Sequence, residues 1–159
     1  MWVSQFWTPQ FWCPQFWATE TGAVVETTIY LDTLAANTFV SNGDGVYAEY
    51  CVTLAASASE TRQLKYYVAG TLVFDSGANL YTSGGTADVW VTILRESSSV
   101  LRIRVEFDES GLTQQPQAPY TRLTGLTLSN TVELKLTGTT VTSSDIAGAL
   151  GTVLYEAGA

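Results

Sequence analysis

A chain of 159 residues with 46% apolar and only 14% charged residues has the composition of one folded domain with a core of its own. Its net charge of −8, with no Lys or Arg before Arg62, leaves no cationic surface for a phosphate backbone, so nucleic acid is excluded as a direct partner. The lack of any His removes Ser-His-Asp, Cys-His and His-ligated metal chemistry together, and two Cys are too few for structural zinc.

The chain opens on a pentad repeat: Trp2-Val-Ser-Gln-Phe6, Trp7-Thr-Pro-Gln-Phe11, Trp12-Cys-Pro-Gln-Phe16, then Trp17. A period of five cannot keep its Trp on one face of an α-helix, because each step turns about 500° and drifts by about 140°. In a strand the odd period sends successive Trp to opposite faces. Pro9 and Pro14 oppose either regular structure. Residues 1–20 therefore read as an extended or turn-like arm, distinct from a second region at 21–159. The start has neither the basic residues nor the unbroken apolar run of a signal peptide, and no stretch approaches the length of a transmembrane helix.

After a small polar joint at Ala18 to Gly22 the pattern changes to alternation. Ala23 to Leu31 reads as a first strand, and Asn42-Gly-Asp-Gly45 as a turn into Val46 to Leu54, with Val46, Ala48, Tyr50, Val52 and Leu54 on one face. Arg62 to Ala69 alternates again, setting Leu64, Tyr66 and Val68 against Gln63, Lys65 and Tyr67, and Gly70-Thr71 makes a tight hairpin into Leu72 to Asp75. Asp88 to Leu94 carries Val89, Val91 and Ile93 on one face, and a Ser97-Ser-Ser hairpin leads to Leu101, Ile103, Val105 and Phe107. Beyond a loop with Pro116 and Pro119, Tyr120 to Leu128 and Thr131 to Leu136 read as another strand pair, and Gly151 to Glu156 as a closing strand. Ser143 to Leu150 has room for one helical turn. Eight or nine short strands at this spacing predict an all-β fold, an antiparallel β-sandwich or jelly roll preceded by the arm.

Candidate chemistry is sparse. Glu106, Asp108 and Glu109 are the only clustered carboxylates at a strand end, and neighbouring acids there read as loop-solvating rather than as the facing pair of a glycosidase. Asn42-Gly-Asp-Gly45 lacks the spaced oxygens of a calcium loop. Arg95, Arg102 and Arg104 read as cross-strand partners of Glu96 and Glu106. Cys13 and Cys51 read as free thiols of a protein made in a reducing cytoplasm. No enzyme activity, cofactor or metal is expected.

The arm remains to be explained. Its seven Trp and Phe would each bury roughly 150–250 Å², worth tens of kcal/mol gross at ~25 cal/mol per Å², and an extended segment cannot cover them itself. Without basic residues it is not suited to a membrane surface. The protein's own sandwich could cover these side chains, but a groove on another protein fits better, with Trp2, Phe6, Trp7, Pro9, Phe11, Trp12, Pro14, Phe16 and Trp17 as the protein-binding anchor. Tyr67, Tyr81, Trp90 and Tyr120 are the aromatics that a glycan site on the sandwich would use. Tyr47, Trp90 and Leu94, opposite the assigned core sets, are surplus apolar surface that points to a homo-oligomer.

The aromatic-aromatic-x-Pro repeats Phe6-Trp-Thr-Pro9 and Phe11-Trp-Cys-Pro14, followed by a Thr- and Gly-rich sandwich, resemble tailed-bacteriophage virion proteins. Asn37 to Gly43, Ala69 to Asp75 and Ala87 to Arg95 are similar to small jelly-roll modules of phage head-decoration and fibre proteins. This resemblance implies a virion structural protein, assembled in the host cytoplasm. It would be a capsid decoration or cement protein or a head-fibre subunit, often trimeric, attached to a major capsid protein or to a fibre or vertex protein. A tail-fibre or receptor- and glycan-binding module is the alternative.

Overall fold

The computed structural model describes residues 21–57, 60–80, 84–110, 120–142 and 145–158. Among them ten strands run in chain order: β1 (Thr21–Leu34), β2 (Gly45–Leu54), β3 (Thr61–Val68), β4 (Thr71–Asp75), β5 (Asn79–Leu80), β6 (Gly85–Ser97), β7 (Val100–Glu109), β8 (Thr121–Leu123), β9 (Val132–Thr142) and β10 (Ile146–Glu156). They form two five-stranded antiparallel sheets packed face to face. The first has the order β1-β9-β3-β4, with β5 also on β3, and the second the order β10-β2-β6-β7-β8.

Alternation decides which side chains enter the core, because successive residues of a strand point to opposite faces. Val46, Ala48, Tyr50, Val52 and Leu54 of β2 are buried, as are Val89, Val91 and Ile93 of β6 and Leu101, Ile103, Val105 and Phe107 of β7. From the facing sheet come Leu64, Tyr66 and Val68 of β3 and Leu134 and Leu136 of β9. Every core set assigned from sequence periodicity is thus inward.

Three local readings are corrected. The β3–β4 hairpin turns on Ala69 (φ 49°) and Gly70 (φ 75°), one residue earlier than Gly70-Thr71. A two-residue turn that matches strand twist needs positive φ at both central positions, and Thr71 is instead the first paired residue of β4. Residues 120–128 give only the short β8, which pairs with β7 rather than with β9, so the expected final pair is split between the two sheets. Of the 143–150 region, residues 143–144 lie outside the described residues, and from Ile146 onward it is strand, because the backbone of β10 joins β2 as far as Leu54.

Aromatic side chains bridge the sheets on both sides. On one side Tyr30 of β1 lies 5.1 Å from Tyr50 of β2, which lies 5.6 Å from Tyr66 of β3. Their hydroxyls are satisfied in the core: Tyr30 donates to the Cys51 carbonyl at 3.1 Å, and Tyr50 bonds Asp32 at 3.1 Å and Tyr66 at 3.2 Å. Burial, with the nearby Asp32 charge, pushes the Tyr50 hydroxyl far above its ordinary pKa. On the other side Phe74 of β4 meets Phe107 of β7 at 5.3 Å. Arg62, fully buried on β3, donates to the Glu60 carbonyl and lies 2.9 Å from Asp145, an ion pair that fixes the start of β10.

Two further contacts hold β10 and the residues that follow it. Its Gly148 and Gly151 face the Tyr30 ring so closely that a Cβ at Gly151 would fall 2.9 Å from the ring, and one at Gly148 2.7 Å. Beyond the strand, Gly158 donates its N–H to Asp44 at 2.7 Å, and the other carboxylate oxygen of Asp44 accepts from Val40 and Ser41 at 2.6 Å each. Burial alone would raise the Asp44 pKa; the three N–H donors and the Arg95 charge outweigh it and hold the carboxyl below its ordinary range.

Two predictions follow from these contacts. Gly151→Ala should destabilise the fold by about 1–3 kcal/mol through overpacking against a ring that has no room to move, read as a Tm lowered by roughly 2–4 °C per kcal/mol. An unchanged Tm would show that Tyr30 yields freely. For Asp44 the folded-state pKa is depressed, so its stabilisation is complete above the unfolded value near ~4 and is lost as pH falls through the folded value. Asp44→Asn should therefore cost about 1–3 kcal/mol at neutral pH and show a smaller further loss than the parent during acid unfolding. A parallel acid profile for the two proteins would refute that role.

Candidate functional site

The residues of the second sheet that point away from the core form a ladder whose rows are set by strand register. One row runs Leu154, Tyr47, Thr92, Arg104 across β10, β2, β6 and β7, and the next runs Thr152, Glu49, Trp90, Glu106. Leu150, Cys51, Asp88 and Asp108 make the row beyond. Trp90 sits at the centre, on the middle strand of the five, with 37% of its surface exposed.

Its neighbours are carboxylates. Glu49 and Glu106 are directly opposite Trp90 on the two flanking strands, at a cross-strand Cβ spacing of about 4.5–5.5 Å. Asp88 and Thr92 precede and follow it on the same face of β6. Glu106 is ion-paired with Arg104, whose guanidinium also lies 5.6 Å from the centre of the Tyr120 ring. Tyr120, 65% exposed, thus borders the strip beside β8. On the other side burial, and then the nearby Glu156 carboxylate, raise the pKa of the Tyr47 hydroxyl. The free thiol of Cys51 is likewise pushed up, by burial and then by Asp88 and Glu49, which disfavours a reactive thiolate.

This arrangement is a flat aromatic platform edged with hydrogen-bond acceptors. An indole face carries negative quadrupole density and attracts weakly positive C–H groups, while ionised carboxylates accept hydroxyl protons. Among the described residues no three His, Cys, Asp or Glu side chains are grouped to hold a metal ion.

The residues expected from sequence fall in different places. Trp90 and Tyr120 are on the platform. Tyr67 is not: on the outer face of the first sheet it donates to Glu26 at 2.7 Å and packs under Lys135. Glu26 also accepts from Lys65 and Thr137, both at 2.8 Å. Although burial opposes it, these bonds lower the Glu26 pKa to about 2, so the group is structurally committed. Tyr81 and the arm residues Trp2, Phe6, Trp7, Pro9, Phe11, Trp12, Pro14, Phe16 and Trp17 lie outside the described residues. Arg102 does meet Glu96 across the hairpin, but Arg104 meets Glu106 along its own strand, and Arg95 turns its Nε to the Ser97 carbonyl; Arg122 takes the second place on Glu96. Of the acidic cluster, Glu106 and Asp108 are exposed on the platform side, whereas Glu109 points inward and is buried.

Sequence reasoning placed Tyr47 opposite the core but not beside Trp90, and it missed Glu49 entirely. Their alternation was visible; the pairing of β2 with β6 that brings them to Trp90 was not.

No protein-family model and no curated protein matches the chain. Among solved structures it is similar to the CBM2 module of the evolved Dit of Lactobacillus casei BL23 phage J-1, at 11% identity and a TM-score of 0.35, over 79% of this chain and 66% of that one, just under two thirds of its length.

Proposed function

We propose that the sandwich is a non-enzymatic glycan-binding module of a phage virion, and that Trp90 carries recognition. The observation that supports this is the position of Trp90: an exposed indole in the middle of a sheet face, flanked in register by Glu49 and Glu106. A pyranose ring offers C–H groups on its face and hydroxyls around its rim. Stacked on Trp90 it would bring those hydroxyls to the two carboxylates, with Tyr120 and Tyr47 extending the platform along the row. The virion setting is supported by the sequence resemblance and by the aromatic-Pro repeats.

Within that setting the arm and the sandwich divide the work. Trp2 to Trp17 anchors the protein to another virion protein, as a decoration or fibre subunit would be anchored, and the outward sheet face meets the glycan. The acidic residues around Trp90 favour neutral or amino-bearing sugars over phosphorylated or carboxylated ones, since like charges repel across so short a distance.

Trp90→Ala should reduce retention on immobilised neutral polysaccharides at least thirtyfold, corresponding to about 2 kcal/mol or more for a central aromatic anchor. Its Tm should change little. Glu49→Gln and Glu106→Gln should each weaken binding by a smaller factor, roughly tenfold. Retention unchanged in Trp90→Ala, or a parent protein that binds none of a broad glycan panel, would reject the module reading. Independently, deletion of Met1 to Trp17 should leave a folded sandwich with glycan binding intact but abolish attachment to particles. A truncated protein that unfolds, or that still joins the particle, would reject the anchor.

A further inference from the structure

β10 is apolar along its length, yet none of its residues is fully buried. From Ile146 to Tyr155 it contains no charged residue and no Pro. Among the described residues it is also an edge strand, hydrogen-bonded to β2 on one side only. Leu150, 48% exposed, and Leu154 and Tyr155 project from it. An open edge of this kind is a template for another strand, and folded proteins ordinarily blunt such edges with charge, Pro, bulges or brevity.

Among the described strands the other sheet edges, β8, β4 and β1, are blunted in those ways. β8 has three residues, one of them Arg122. β4 has five and ends in Asp75. β1 carries Glu26 and Asp32 and two register shifts. β10 has eleven residues, only one shift, between Gly148 and Leu150, and a single charge, Glu156, at its last position, beyond ten uncharged residues.

We propose that β10 pairs antiparallel with β10 of a second copy of this chain, about a two-fold axis perpendicular to the sheet. The identity of the occupant follows from charge and symmetry. Each copy carries a net charge of −8, so two copies approach closely only where no carboxylates are opposed, and the ten uncharged residues Ile146 to Tyr155 supply that stretch. A strand paired antiparallel with itself makes a closed, isologous contact in which each Leu150, Leu154 and Tyr155 covers the other copy's edge. The result is one continuous ten-stranded sheet. Because such an axis keeps both outer faces on the same side, the two Trp90 residues stand five strand spacings apart, ~24 Å. That bivalent display rests on the glycan reading above; the pairing does not.

An edge of this length falls below the ~800 Å² per partner of a standard interface, so the dimer should dissociate in the micromolar range. In sedimentation velocity of the full chain from about 1 to about 100 µM, the mass should rise from monomer to dimer. Leu150→Lys/Leu154→Lys should stay monomeric at the top concentration with a parent-like circular dichroism melt, while Leu72→Lys, on the exposed edge strand β4, should still dimerise. Hydrogen exchange gives a reading without mutation: β10 amides should gain protection with concentration, and β8 amides should not. A monomer throughout, a trimer or dimer that persists in the β10 variant, or β10 protection independent of concentration would overturn the pairing. Each of these is read without glycan, so failure of the module reading and failure of the pairing are told apart.

Discussion

The tyrosine stack between the sheets is the contact from which the rest of the molecule takes its geometry. Tyr30, Tyr50 and Tyr66 come from three strands of two sheets, and their rings and hydroxyls tie β1 and β3 to β2 at once. Buried hydroxyls must be paired, and a directional bond between buried groups admits fewer arrangements than apolar packing alone. Asp32 closes the chain of bonds, its carboxyl raised above the ordinary range by burial and only partly restored by the bond from Tyr50. The stack also sets the place of β10, because Gly148 and Gly151 leave the space that the Tyr30 ring fills.

The outer face of the second sheet inherits its order from that constraint. Once Tyr50 is fixed inward, Tyr47, Glu49 and Cys51 of β2 are fixed outward, and the β2–β6 register brings Glu49 opposite Trp90. β10 continues alongside β2 past the register shift between Gly148 and Leu150, so that Leu154 lies beside Tyr47. Core packing and the outer face around Trp90 are thus two sides of the same strands.

Charge is distributed unevenly over this scaffold. Glu96 is held by Arg122 and Arg102, with the bond from Arg122 the main cause of its lowered pKa, and Glu26 is held by Lys65, Tyr67 and Thr137. Exposed ion pairs of this kind contribute little to stability, but they neutralise parts of the surface that would otherwise repel a partner. Around Trp90 the balance is different: Glu49 and Glu106 stand opposite it, Asp88 lies on its own strand, and Arg104 pairs with Glu106. Along β10 there is no charge from Ile146 to Tyr155.

Period-two alternation made most of the fold legible before any coordinates. It assigned Val46 to Leu54, Leu64 to Val68, Val89 to Ile93 and Leu101 to Phe107 to the core, because the pleat allows only two faces and the apolar residues occupy one of them. Sequence also isolated the pentads of residues 1–20, whose period suits neither helix nor strand. It could not place β8 with β7 and β9 with β1, since strand pairing depends on contacts between segments far apart in the chain and alternation is silent about neighbours. For the same reason it identified Trp90 as outward but not its company: Glu49 is 41 positions away and Glu106 16 positions away in sequence, as the residue numbers show, and only the register of three strands makes them one site.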